Sequence, residues 1–424
     1  MAPYHVLDDE GVRKWIAGRR LLAERLGGEA GDWRVRDVAD GNLNSVFLVD
    51  GPAGSLCVKQ SLPYVRVAKD DWPLDVERAA FEAAYIRRVA PFVGALAPTL
   101  HDFDPTLRAL AMEKLAPHII LRAAFVAGQH FPNVAADIAE YVAQTCVHTS
   151  DLAAPFEARA QDLAIFARNL ALQRITVDLV FIDPYAHSPR NRILPALEPW
   201  AARLREDSQI KRAVADLRLA YLTKAQSLLH GDLHSGSVMA TSDNTRVIDG
   251  EFAWVGPTGF DVGNFLAHLM IAWIAAPFRD GDAARFRARL EADIVTFWRS
   301  FRRRFLELAQ EAQGDGLPAS HFPAGGPDRA MWLEAYVNDV LRDAVGFLGI
   351  ELVRRILGFA QVADFLSLGD AEALAKARAL SLARAVLIEP SAFCDPEALV
   401  RALAVHEAQV DAGSDIVAGP PPGR

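Results

Sequence analysis

The pattern of apolar residues changes character near Pro117, and that change limits what the chain can become. Before it, short runs rich in β-formers at 33–38, 45–49 and 55–59 alternate with Gly, Asn, Asp and Pro. Such runs read as strands separated by turns. Residues 73–90 place Phe81, Tyr85 and Val89 on one face at helical spacing, which predicts a helix. Residues 100–115 predict a further hairpin, turning at Asp104-Pro105. After Pro117, long Ala-, Leu- and Arg-rich segments with helical period dominate. The chain thus predicts an α+β, bilobal molecule. A small N-terminal antiparallel β lobe with one helix spans 1–115, and a larger, mainly α C-terminal lobe spans 116–411, with a hinge at 113–117. Residues 412–424, ending in Pro420-Pro421-Pro422-Gly423-Arg424, predict a disordered tail.

Of the 424 residues, 51% are hydrophobic, enough to bury a large core. The net charge of −9 argues against a nucleic-acid binder, which carries a basic patch or stripe. A nucleotide substrate stays possible, because phosphates are held by local donors. Cys57, Cys146 and Cys394 are scattered, so neither a disulfide framework nor a zinc site is expected, and a reducing cytoplasm is the simpler context. The N-terminus has no apolar signal core. The longest apolar run, 262–278, is short for a membrane span and contains Asn264 and His268. It predicts a buried core helix and no membrane partner.

One stretch carries chemistry. Asp232, in His230-Gly231-Asp232-Leu233-His234-Ser235-Gly236-Ser237, precedes an apolar strand, Val238-Met239-Ala240. A polar turn follows at Ser242-Asp243-Asn244, and a second strand over 245–248 delivers Asp249, with Glu251 two residues on. Strand side chains alternate with period two, so Asp249 and Glu251 are expected to point the same way. One carboxylate near a hydroxyl and two near a divalent metal are what ATP-dependent phosphoryl transfer needs. Asp232 is the candidate catalytic base, with a turn-capping Asp as the plainer alternative. Asp249 and Glu251 are candidate Mg2+ ligands. Apolar neighbours on both sides weaken the alternative of a solvated strand end, because a buried charge needs a partner. Ser237 is either a weak metal or water contact or a turn cap. His230, His234 and His268 are expected to be structural, and Asp261 to cap the helix it precedes and, as a second role, to tie down the Asp232 loop.

Lys59 ends a short apolar strand and is a candidate for the α- and β-phosphates, with Glu82 orienting it as an ion pair. Asp40-Gly41-Asn42-Leu43-Asn44 lies between two predicted strands, where Gly and Asn tolerate left-handed backbone and present N–H groups to phosphates. Arg354 and Arg355 lie in an apolar helical segment, 352–365. Adjacent helical residues diverge by about 100°, so at least one arginine must face a cleft or a carboxylate. Trp72 precedes the Glu82 helix as either a lid over the nucleotide or a cap on the small lobe's core.

These blocks resemble the protein-kinase-like fold of small-molecule kinases, which includes aminoglycoside phosphotransferases and choline kinases. They are most similar to the methylthioribose kinases: Asp40 to Phe47, Val58 to Arg66, the Trp72-Pro73 loop, His230 to Val238 with Asp249 to Pro257 and Gly259 to Gly263, and Arg354-Arg355-Ile356-Leu357-Gly358. The resemblance implies ATP and Mg2+ as cofactors and phosphorylation of the anomeric hydroxyl of 5-methylthioribose, in methionine salvage, by a homodimer. Asp232 would be the base, and Asp249 and Glu251 would bind Mg2+. Asp40, Gly41, Asn42, Asn44, Lys59 and Glu82 would serve the nucleotide phosphates, and Glu113 and Leu115 the adenine. Asn44, Asp232 and Arg354 would contact the acceptor, with Arg354 and Arg355 acting in catalysis. Gly250 stands where Pro is expected and Ser235 where Thr is usual. Similarity is looser over 116–162, which leaves another sugar, an aminoglycoside or an amino alcohol as the alternative acceptor.

Overall fold

The computed structural model describes residues 3–38, 43–65 and 69–412. The small lobe is built on a five-stranded antiparallel sheet: β1 (Arg34–Asp37), β2 (Asn44–Asp50), β3 (Ser55–Ser61), β4 (Leu100–Asp104) and β5 (Ala109–Met112), in the order β1-β2-β3-β5-β4. Alternation along β3 sends Leu56 and Val58 into a core with Trp33, Phe47 and Val49. Cys57 and Lys59 therefore face the opposite side, where they line a cleft. The register fixes Lys59 between Val46 on β2 and Leu110 on β5.

Among the described residues the small lobe has three α-helices where one was expected. α1 (Asp9–Ala17) and α2 (Arg20–Leu26) cover the sheet's outer face with Trp15, Ile16, Leu22 and Leu26. Elements this short are not helical by propensity alone and form because one face packs. α3 (Arg78–Val93) begins later than the predicted 73–90, because Lys69–Pro73 pairs with Tyr64–Val65 as a ribbon. α3 serves both lobes. Ala79, Ala83 and Ile86 pack on Leu110 and Met112, while Phe81, Tyr85 and Val89 enter the large lobe's core.

The large lobe is mainly helical and includes α4 (Val134–His148), α5 (Gly259–Ala275), α6 (Ala283–Glu311), α7 (Pro327–Leu357) and α8 (Glu372–Ile388). Every residue of α5 is buried, including Asp261, Asn264 and His268. This is the predicted core helix. It is long and apolar enough to cross a membrane, yet it is enclosed by protein. Glycines let it lie close to α7: a Cβ at Gly263 would stand 2.4 Å from the Ala344 carbonyl oxygen. The helix predicted over 352–365 instead ends at Leu357, where the chain turns at Gly358 and restarts as Ala363–Leu366. The predicted hairpin pairs Val238–Ala240 with Thr245–Val247, Val238 opposite Val247. The last helix, Pro396–Ala412, takes in the first residue of the predicted tail. Residues 413–424 and three predicted phosphate-loop residues, Asp40, Gly41 and Asn42, lie outside the described residues.

Candidate active site

A cleft of about 820 Å³ separates the sheet of the small lobe from the large lobe. Val46, Leu48, Met112, Leu115 and Met239 give it apolar walls suited to a flat heterocycle, and Lys59, Glu82, Arg122 and Asp249 give it charge. The predicted hinge residues Glu113 and Leu115 both line it. The Glu113 N–H donates to the Thr99 carbonyl at 2.9 Å, and its carboxylate accepts from the Thr99 N–H at 3.2 Å.

Lys59 meets Glu82 at 2.9 Å and Asp249 at 2.6 Å. The ammonium is buried, but the two carboxylates outweigh that burial and raise its pKa, so it stays charged. Glu82 lies deepest; burial pushes its carboxyl up to about 7 against the pull of Lys59. Asp249 is opposed by burial but held below the usual range by Lys59. Its side chain is 46% exposed, so it can meet a ligand from the cleft.

Asp249 does not continue the strand. It adopts φ 67°, ψ 43°, and a 3-10 turn, Gly250–Phe252, follows. Asp tolerates this left-handed region better than most residues. The expectation that strand period two would align Asp249 with Glu251 therefore fails. Glu251 is buried and accepts from Asn44 Nδ2 at 3.0 Å, with Arg78 Nε 3.2 Å from its other oxygen. Asn44 is thus turned inward and is only 5% exposed. Arg78, absent from the sequence reading, also donates to the Leu43 carbonyl and to Asn44 Oδ1. The Gly250 position, where Pro was expected, has a steric reason: a Cβ there would stand 2.4 Å from the Tyr85 ring.

Asp232 sits in the loop before the hairpin. Gly231, at φ 83°, allows the loop's close approach, since a Cβ would lie 2.2 Å from the Phe252 carbonyl oxygen. Asp261 accepts from the N–H groups of His230 and Gly231, at 2.7 and 3.0 Å. It therefore clamps this loop, and no side chain caps its own helix. His230 Nε2 donates to the Ile248 carbonyl at 2.8 Å, which joins the loop to the strand before Asp249. Ser237 Oγ donates to the Asp232 carbonyl at 2.9 Å, a turn-capping role.

The Asp232 carboxylate meets Arg354 at 3.2 Å, Arg355 at 3.5 Å and His234 Nε2 at 3.2 Å. His234 Nδ1 accepts from the Gly236 N–H at 3.0 Å, so the proton of the neutral ring is on Nε2 and points at Asp232. Burial pushes the His234 pKa down to about 4. At neutral pH the ring is therefore a neutral donor, and the arginines supply the positive charge. Burial works against ionisation of Asp232, but these neighbours hold it well below the usual carboxylate range.

The twin arginines diverge around one missed residue. Glu351, 1% exposed, accepts from Arg355 Nε at 2.5 Å and from Arg354 Nη1 at 3.1 Å. His268 Nε2 lies 3.1 Å from Glu351, and its Nδ1 3.0 Å from Ser235 Oγ. Burial opposes the Glu351 charge, but the arginines hold its carboxyl far below the usual range. Its signal was available in the sequence, three and four residues before the arginines in an otherwise apolar turn. Arg354 Nε is buried without a hydrogen-bond partner, and Arg355 Nη2 is the atom that pairs with Asp232 at 3.5 Å. Trp72 is not over the nucleotide cleft. It packs with Val65, Leu74 and Phe252 and meets the Phe359 ring at 5.4 Å.

The structure thus brings Lys59, Glu82 and Asp249 together in the cleft, and gathers Asp232, Arg354 and Arg355 into a second cluster. Residues 34–295 match the family model described as the phosphotransferase enzyme family. The chain is 35% identical over 367 residues to the methylthioribose kinase of Escherichia coli O45:K1 (strain S88 / ExPEC), covering 85% of this chain and 88% of that one. It is 36% identical over 375 residues to methylthioribose kinase 2 of Oryza sativa subsp. japonica, covering 86% and 87%. A solved choline/ethanolamine kinase family protein from Mesorhizobium loti aligns with a TM-score of 0.42 at 15% identity, over 93% and 99% of the two chains.

Proposed function

The chain belongs to the phosphotransferase enzyme family and, within it, to the methylthioribose kinases, and from that premise we propose that it transfers the γ-phosphoryl group of ATP to the anomeric hydroxyl of 5-methylthioribose. One observation carries the reading on the acceptor side: an ionised carboxylate, Asp232, is held by two buried arginines, Arg354 at 3.2 Å and Arg355 at 3.5 Å. The lobes we assign are 1–115 and 116–411, with the cleft between them.

Asp232 orients the acceptor hydroxyl. As the acceptor oxygen bonds to the γ-phosphorus and the bond from phosphorus to the bridging oxygen breaks, the hydroxyl proton passes to an Asp232 oxygen and ADP leaves. A strongly acidic carboxyl suits this order of events, because proton transfer comes late in a loose phosphoryl transfer. Arg354 and Arg355, held beside Asp232, supply positive charge for the equatorial phosphoryl oxygens, where charge spreads. Lys59, held by Glu82, binds the nucleotide phosphates.

Asp249, an open carboxylate beside Lys59, would hold magnesium, whereas Glu251 Oε2 is ion-paired with Arg78 Nε at 3.2 Å and would join only by giving up that partner. When bound, the ion neutralises the nucleotide phosphates. The family resemblance also supports a homodimer, which analytical ultracentrifugation reads, and the three free cysteines suit a reducing cytoplasm.

The test is coupled ADP release from ATP and magnesium with methylthioribose, ribose, choline or an aminoglycoside as acceptor. Turnover with methylthioribose far above the others is expected. Preference for choline or an aminoglycoside would overturn the acceptor, and no turnover with any would overturn the reaction.

A further inference from the structure

Arg122 is a cation that the phosphoryl-transfer reading does not use. It projects from the helix Leu121–Val126 and lines the cleft together with Ala123, Val126, Gly236 and Ala363. Its Nε and Nη2 are buried and have no hydrogen-bond partner. The nearest carboxylate, Asp364, is 3.7 Å from Nε, too far for a hydrogen bond. Asp364 Oδ2 is likewise buried without a partner, in a side chain only 2% exposed. Two opposite charges therefore face each other beside the cleft, each with unused hydrogen-bonding capacity.

That arrangement is costly for the empty protein, since unsatisfied buried polar groups forfeit their hydration. Both groups are already offset in charge, so an anion is not what they need. A hydroxyl between them satisfies both: its oxygen accepts from the guanidinium and its proton goes to the carboxylate. A neighbouring hydroxyl can use the guanidinium's second free N–H, because the fork spans two acceptors. Arg122 and Ala363, the residue before Asp364, line the cleft, so a ligand there approaches the pair. A Cβ at Gly236 would stand 2.9 Å from Arg122 Nη1, so the absence of a side chain there keeps the guanidinium in place. Gly236 is flanked by both Arg122 and the His234 ring, which itself meets Asp232 at 3.2 Å, and this puts Arg122 beside the reaction centre.

We propose that Arg122 and Asp364 form a recognition site for the vicinal diol of a ribofuranose. The reading rests on the kinase function above. Both the nucleotide and the acceptor carry such a diol, and the pair would give the enzyme a preference for intact ribose over deoxy sugars.

The experiment uses the full-length chain and Asp364→Asn and Arg122→Gln variants, each checked by thermal unfolding. The acceptor arm compares methylthioribose with its 3-deoxy analogue. The nucleotide arm compares ATP with 2′-deoxy- and 3′-deoxy-ATP. Each variant is expected to lose about tenfold or more in kcat/KM for the substrate whose diol is read, and to lose much less for the matching deoxy compound. Gly236→Ala, which crowds Arg122, is expected to shift the same arm. A loss confined to methylthioribose assigns the site to the acceptor, and one confined to ATP assigns it to the nucleotide. Equal losses for diol and deoxy substrates in both arms, or no loss in either, would overturn the site. Wild-type turnover of methylthioribose is the separate control: its absence would overturn the kinase reading and this one with it, whereas normal wild-type turnover with indifferent variants overturns the diol site alone.

Discussion

Replacing Glu351 with Gln tests whether the twin arginines are a single built unit. The carboxylate is 1% exposed and holds Arg355 Nε at 2.5 Å, Arg354 Nη1 at 3.1 Å and His268 Nε2 at 3.1 Å. The amide keeps the volume and one acceptor but loses the charge. Removing one side of a buried ion pair costs roughly 3–5 kcal/mol, and the retained acceptor places this change near about 3. Unfolding entropy of about 2.1 cal/mol/K per residue gives roughly 0.9 kcal/mol/K for 424 residues, hence a Tm lower by about 3 °C. Activity should suffer more. Without Glu351 the guanidinium groups are no longer aimed, and loss of a preorganised donor costs about 10²–10³ in kcat. The KM for ATP should hold, because Lys59 and the cleft walls are untouched. Scanning calorimetry and the ADP-release assay read both effects. A Gln variant with wild-type Tm and kcat would refute the reasoning. So would strict additivity with Arg355→Met, because partners in one network must couple by about 0.5–3 kcal/mol.

Asp232→Ala is expected to lower kcat by about a hundredfold or more while nucleotide affinity, read by calorimetric titration, changes little; wild-type turnover would remove Asp232 as base. Lys59→Met should raise the KM for ATP and leave acceptor affinity intact, and an unchanged nucleotide KM would displace it from the phosphates. Stability should fall as pH drops from about 6.5 toward 4. His234 is held neutral in the fold down to about 4 but takes up a proton in the unfolded chain from about 6.5, so the unfolded state binds more protons across that window. Urea midpoints across the range should slope accordingly, and His234→Gln should flatten the slope; an identical slope would refute the assignment.

Much of this was legible in the residues. Strand runs around Lys59 and the carboxylate hairpin read correctly, because β-formers and turn residues act locally. The Lys59–Glu82 pair was inferred from chain order, and the ammonium meets that carboxylate in the fold. The failures have physical causes. Two short N-terminal helices owe their existence to the sheet they cover, which no local pattern displays. Asp249 leaves the strand through a left-handed residue, so period two stopped applying one residue too early. Arg78 and Arg122 carry no local sequence signal, because their meaning lies in distant partners, Glu251 and Asp364. Glu351 was nearer to hand, but a lone acid in an apolar helix shows its purpose only once both arginines are seen to turn back on it.

The fully buried helix Gly259–Ala275 has one further consequence. Through Asp261 it holds two amides of the Asp232 loop, and through His268 it reaches Glu351. A segment enclosed on every side has no private route to solvent. The amide protons of His230 and Gly231 should therefore exchange with deuterium only at the pace of whole-lobe unfolding, far more slowly than a loop of this length would suggest. Heat should accordingly remove catalysis and tertiary structure in one step, leaving no folded but inactive form between them.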